Sequence, residues 1–71
     1  MSKQVSATMA GIVVEYKVSP GSPVNAGQEV VILESMKMQL PIGSEHSGVV
    51  KEIVVKVGDF VNEGDPLLLL E

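Results

Sequence analysis

The chain has no cysteine and no tryptophan, and its only aromatic residues are Tyr16 and Phe60. Without cysteine, no disulfide or thiolate metal site can supplement the core, which is consistent with a reducing compartment. With two aromatics, the core must come from Val, Ile, Leu and Met, and the abundance of β-branched residues favours strands. Long hydrophobic runs are missing too. The longest purely aliphatic run, Leu67 to Leu70, is far too short to cross a bilayer. The opening "MSKQVSATMAG" lacks the apolar central segment of a signal peptide. Basic clusters are also lacking. The net charge is −4, with acids and bases interspersed, which disfavours nucleic acid as a partner because that binding rests on phosphate neutralisation. The expectation is a soluble, cytoplasmic protein that binds neither nucleic acid nor membrane. Its 71 residues make a single domain, 1–71, and a fold of that size buries only about 60% of its unfolded surface.

What the chain does have is a repeat, the feature to seek first. A shift of 37 residues lays "GIVVEYKVSPGSPVNAGQEVVILE" on "GVVKEIVVKVGDFVNEGDPLLLLE" without a gap, starting from Gly11 on Gly48. Val13/Val50, Gly21/Gly58, Asn25/Asn62, Gly27/Gly64 and Glu34/Glu71 are among the identical pairs. Each copy reads as an apolar strand (Ile12 to Val18; Val49 to Val57) that ends at a glycine. An "N-x-G" turn follows, and then a second aliphatic strand (Glu29 to Glu34; Pro66 to Leu70). In the first strand, period-two alternation places Ile12, Val14, Tyr16 and Val18 on one face and Glu15 and Lys17 on the other. The paired glycines mark turns with positive φ or close backbone approach. No glycine-rich turn leads into a helical pattern, as a phosphate loop requires.

Nowhere does an apolar stripe of period 3.6 persist. The fold class expected is therefore all-β: two antiparallel sheets related by an approximate two-fold axis, wrapped into a flattened barrel or sandwich that hides sheet edges.

Residues 35–47, "SMKMQLPIGSEHS", read as the connection between the copies. Met38, Leu40 and Ile42 alternate with Gln39 and Pro41, which suggests a strand, and Pro41 confines that strand to an edge. One reading is a hairpin with Met36 and Lys37 at its tip. The other is an uninterrupted strand or short helix across "LESMKMQL". Local propensity does not choose the hairpin, because two-residue turns of type I′ want Asn-Gly or Asp-Gly. A left-handed Met or Lys costs about 1–2 kcal/mol. Such a breach of the local rule is where function or strain is expected. His46 stands alone in a polar loop, with nothing around it to complete a metal set. Glu15/Glu52 and Glu34/Glu71 recur in both copies, as structural or surface residues would.

"ESMKM" resembles the attachment motif of biotinyl domains, E-A-M-K-M, in which the lysine carries biotin as an amide. The "VKVGDFVNEGDPLLLLE" tail, the "G-x-V" strand openings and the duplication are similar to those of biotinyl and lipoyl domains. The resemblance covers Met9 to Glu71. It extends to the short, free-standing biotinyl/lipoyl attachment proteins, which share the "ESMKM…PI" run. It implies a barrel of two four-stranded antiparallel sheets, with Lys37 on a hairpin tip and the chain ends opposite. It makes Lys37 the site of covalent biotin, and Met36, Met38 and Glu34 the positions read by a biotin protein ligase. Ser35 replaces the motif's alanine, and Thr8 and Glu45 stand where many members have proline. No "thumb" insertion fits the gapless alignment. No Pro/Ala-rich linker is present, so a free subunit or an excised piece is expected.

The resemblance implies a carrier without catalysis of its own. Biotin on Lys37 would take up a carboxyl group at a biotin carboxylase and release it at a carboxyltransferase, with the protein a monomer when isolated. Lipoate is the alternative group, although lipoyl domains usually show "D-K-A" at the turn. An unmodified interaction module is the third reading, and it gives no reason for a lysine between two methionines. Lys3, Lys17, Lys51 and Lys56 lack such flanks.

Overall fold

The computed structural model describes residues 3–71. Their strands are β1 (Lys3–Ser6), β2 (Gly11–Tyr16), β3 (Pro23–Val24), β4 (Glu29–Ser35), β5 (Met38–Gly43), β6 (Gly48–Ile53), β7 (Phe60–Val61) and β8 (Pro66–Leu70). They form two four-stranded antiparallel sheets, β1-β8-β6-β3 and β5-β4-β2-β7. The molecule measures 33 × 18 × 18 Å along its principal axes. The expected all-β, two-sheet architecture is what forms.

The duplication reaches further than the sequence shows. Shifted by 37, β1 falls on the second half of β5, β2 on β6, β3 on β7 and β4 on β8. Residues 40–47 are therefore the opening of the second copy and not a connector. Burial follows the same rule. Val5/Ile42, Ala7/Ser44, Val13/Val50, Val24/Val61, Val30/Leu67, Val31/Leu68 and Leu33/Leu70 are all buried, and these seven pairs make up the core. Each sheet takes two strands from each copy, so neither copy encloses this core alone.

Backbone hydrogen bonds tie the copies together in matched pairs. Gly21 N–H donates to Val50 O and Gly58 N–H to Val13 O, both at 2.8 Å. Gly27 N–H donates to Ser44 O at 2.7 Å and Gly64 N–H to Ala7 O at 2.8 Å. Gly27 and Gly64 have φ of +90° and +91°. Glycine reaches that region without the Cβ clash other residues meet. Each "N-x-G" turn thus aims an amide at the other copy.

Two strand details depart from the alternation. The first strand ends at Tyr16 and its counterpart at Ile53, so Val18, Val54 and Val57 lie outside the ladders. Ile12 faces outward, 44% exposed, while Val13 is buried. A bulge between Val13 and Glu15 resets the phase, and a matching one lies between Val50 and Glu52. One unpaired residue exchanges the two faces, which is why Tyr16 points back toward the core while Ile12 does not. Pro41 sits on β5, an edge strand, as its missing N–H demands.

Tyr16 breaks the repeat's symmetry, since its counterpart is Ile53. Its hydroxyl reaches from one sheet to the other, donating to the Val55 carbonyl at 2.8 Å with the Leu67 carbonyl 3.1 Å away. Burial pushes the phenol up to about 12, and the Asp59 carboxylate acts in the same direction. The folded state therefore holds this proton more tightly than the unfolded chain, where the value is about 10. That contribution is complete below about pH 10 and disappears as pH rises toward 12.

Tyr16→Phe is expected to cost about 1 kcal/mol at neutral pH. It should also lessen the loss of stability across pH 10–12 relative to the parent protein, measured by urea denaturation. Gly11 and Gly48 test the close approach of the strands. A Cβ on Gly11 would lie 2.7 Å from the Glu34 carbonyl oxygen, and one on Gly48 would lie 2.5 Å from that of Glu71. Alanine at either position should lower stability by about 1–3 kcal/mol in the same assay.

Candidate functional site

β4 is anchored by Val30, Val31 and Leu33, all fully buried, and β5 by Ile42. Between them runs a ladder from Glu29↔Gly43 to Ser35↔Met38. That register leaves two residues, Met36 and Lys37, to reverse the chain. Both adopt positive φ, 53° and 65°, and they are the only non-glycine residues to do so among those described. This is the backbone pattern of a type I′ hairpin turn, made from residues that turn chemistry does not select. The continuous-strand and short-helix readings are thereby excluded. The ladder on either side imposes a conformation that each tip residue resists by about 1–2 kcal/mol.

The tip is open to solvent. Met36 is 92% exposed and Met38 60%, so neither methionine fills the core. Lys37 is exposed between them. Glu34 lies on the outer face of β4, opposite Gln39 on one side and Ile12 on the other. The ion pair among the described residues joins Lys17 to Glu15 at 3.9 Å, leaving Lys37 and Glu34 unpaired. The structure thus brings Glu34, Met36, Lys37 and Met38 together at one end of one hairpin.

The other lysines are placed differently. Lys3 lies on β1 and donates to the Ser47 carbonyl at 3.0 Å, and Lys51 lies on β6. Lys17 follows β2 and carries the ion pair. Lys56 belongs to a tight turn whose amide is bound by the Asp59 carboxylate at 2.9 Å. Only Lys37 occupies a two-residue hairpin tip. His46 is held through its backbone, with its N–H donating to Ser44 Oγ at 3.1 Å and its carbonyl accepting from that hydroxyl at 2.6 Å.

Strand alternation does not single out Ile12 or Phe60, yet both are exposed on the sheet that carries the hairpin. The available signal is a mismatch between the copies, because the counterpart of Phe60 is Pro23.

Lys37 thus stands as an exposed amine on a strained tip of a duplicated two-sheet scaffold. The family described as biotin-requiring enzyme, of biotin/lipoyl type, matches residues 3–70. The chain belongs to the biotin/lipoyl attachment family. Such an attachment domain is a carrier and not a catalytic unit. The biotin/lipoyl attachment protein of Bacillus subtilis is 56% identical over 66 residues, covering 93% of this chain and 90% of that protein. The dihydrolipoyllysine-residue acetyltransferase component of the pyruvate dehydrogenase complex of Pseudomonas aeruginosa is 49% identical over 61 residues, 86% of this chain and 11% of that protein. Among solved structures, the urea carboxylase of Kluyveromyces lactis superposes with a TM-score of 0.91 at 30% identity, covering 100% of this chain and 6% of that one. The attachment domain therefore spans most of the first relative and a small part of the other two. No helix among the described residues is long and apolar enough to cross a membrane.

Relieving the tip should stabilise the fold. Met36→Asn combined with Lys37→Gly supplies the residues the turn prefers and is expected to raise stability by about 2 kcal/mol, measured by urea denaturation.

Proposed function

We propose that this domain is a biotin carboxyl carrier, with Lys37 as its covalent attachment point. The observation that supports this most directly is the strained pair Met36 and Lys37, at φ 53° and 65°. Nothing in the fold needs a lysine there, and a turn residue would be more stable. The site also fits the group. Lys37 offers a primary amine in open solvent, with no ion-pair partner among the described residues, so an amide can form without breaking a contact.

The chain's own part in the reaction is positional. A lysine attacks a carboxyl carbon only as the neutral amine. A biotin protein ligase must therefore take up the proton as the amine attacks the acyl-adenylate carbonyl, forming the amide C–N bond while the C–O bond to the phosphate breaks and AMP leaves. The stiff β4–β5 ladder fixes where the amine stands, which replaces a search by a defined approach. Met36 and Met38 offer a soft apolar collar around it, and Glu34 adds a carboxylate at the neck of the hairpin. These three are the residues a ligase would read. What the attached biotin supplies is a ureido nitrogen that can carry a carboxyl group between active sites. Biotin carboxylase and carboxyltransferase are the partners this implies, and a tethered carrier raises the effective concentration of its cargo at each. On this reading residues 1–71 act as one domain, monomeric and cytoplasmic.

Lipoate is the second reading, favoured by the 49% identity to the dihydrolipoyllysine-residue acetyltransferase component. The methionines on both sides of Lys37 favour biotin.

Co-expression with a biotin ligase should yield a streptavidin-reactive product whose intact mass carries one biotin, and Lys37→Arg should abolish it. A mass shift of lipoate alone, or retention of biotin in the Lys37→Arg protein, would overturn the assignment.

A further inference from the structure

The row of side chains next to the hairpin suggests how the acylating enzyme holds this domain. On the outer face of the sheet β5-β4-β2-β7, the register aligns Gln39 with Glu34, Glu34 with Ile12, and Ile12 with Phe60. All four are exposed, Phe60 by 63%. The chain's one phenylalanine is thus spent outside a core that is wholly aliphatic apart from Ser44.

The duplication provides an internal control on that placement. At the equivalent position of the other sheet the residue is Pro23, opposite Val49 where Phe60 is opposite Ile12. The scaffold does not need an aromatic there. Moreover, β7 belongs to the second copy, yet strand exchange delivers it to the sheet that carries Lys37.

We propose that Phe60 and Ile12, with Glu34 beside them, form the docking surface for the enzyme that acylates Lys37. This rests on Lys37 being the attachment point. The row begins at Gln39, two residues along the chain from Lys37, about 7 Å at strand rise, and Phe60 lies two strand spacings, about 10 Å, sideways from Glu34. It is rigidly coupled to the amine through the ladder. Among enzymes that would act on this carrier, the acylating one must fix the lysine nitrogen itself at bonding distance. Later partners meet the far end of a flexible arm. The enzyme that needs a rigid grip close to the lysine is therefore the ligase.

The chemistry of the row defines the complementary surface: an apolar recess for the Phe60 ring and the Ile12 side chain, flanked by a lysine or arginine facing Glu34. Aromatic anchors surrounded by polar groups are the usual source of interface affinity. Self-association through the same face would bring two Glu34 carboxylates together on chains that each carry a net charge of −4, which disfavours a second copy as the occupant.

The test is steady-state biotinylation of the intact protein by a purified biotin ligase, with lipoyl ligase substituted if lipoate is the group found at Lys37. Phe60→Ser, Ile12→Thr and the control Val49→Thr are compared with the parent for KM, kcat and melting temperature. Phe60→Pro is added because Pro23 shows that the equivalent strand accepts proline. The Phe60 and Ile12 substitutions should raise KM about tenfold, the scale of an anchor residue, with kcat within about twofold. Val49→Thr should leave both unchanged. Parent-like KM in both Phe60 variants, or an equal rise in Val49→Thr, would overturn the docking surface while leaving the attachment reading intact. Parent protein that takes neither group at Lys37 would overturn both.

Discussion

The structure depends on a reciprocal exchange of backbone hydrogen bonds between its two halves. Gly21 reaches Val50 as Gly58 reaches Val13, and Gly27 reaches Ser44 as Gly64 reaches Ala7. Each half completes the other's sheets, and the seven pairs of buried side chains close only when both are present. A 71-residue chain without disulfides has little core to spare. Interlocking lets it bury nearly every aliphatic side chain its strands offer on their inner faces. The rigidity obtained this way is what allows one hairpin to hold two residues in a conformation they do not favour.

Most of this scaffold could be read from the sequence, because its constraints fall on residue identity. Glycines at matched turns must be glycine, and the valines and leucines of β2, β4, β6 and β8 repeat in kind. The opening strand of each copy was not legible in the same way. Lys3 to Ala10 and Leu40 to Ser47 share no identical pair, because an edge strand needs only one buried side chain, Val5 or Ile42, and any polar residue elsewhere. The orientation of Ile12 was lost for a different reason. A bulge is a backbone event with no residue signature, and the strand residues on its two sides stand one step out of phase.

At the site, the motif pointed to Lys37 and its neighbours as candidates, while the local pattern left hairpin, strand and helix open. The structure resolves this through register: Ser35 opposite Met38 leaves two residues and one way to turn. Phe60 remained hidden because it falls between the strands read from the sequence, Val49 to Val57 and Pro66 to Leu70. Its significance emerges only when the two copies are superposed. The Lys37 tip has no counterpart in the other copy, and Tyr16 against Ile53 and Phe60 against Pro23 are places where the two copies differ. One of them, Tyr16, clamps the sheets. All three lie on the sheet that displays the lysine.

The pairing of Lys3 with Leu70 has a topological meaning. It is the equivalent of Leu40 with Leu33 in the other sheet, so the ends of the chain approach one another where the hairpin stands in the other half. A circular permutant, opened between Met36 and Lys37 and closed by a short turn from Glu71 back to β1, would keep every ladder and every buried pair. It would place Lys37 on a loose terminus. Such a molecule would separate architecture from presentation: the same barrel with its amine no longer held out on a fixed stalk.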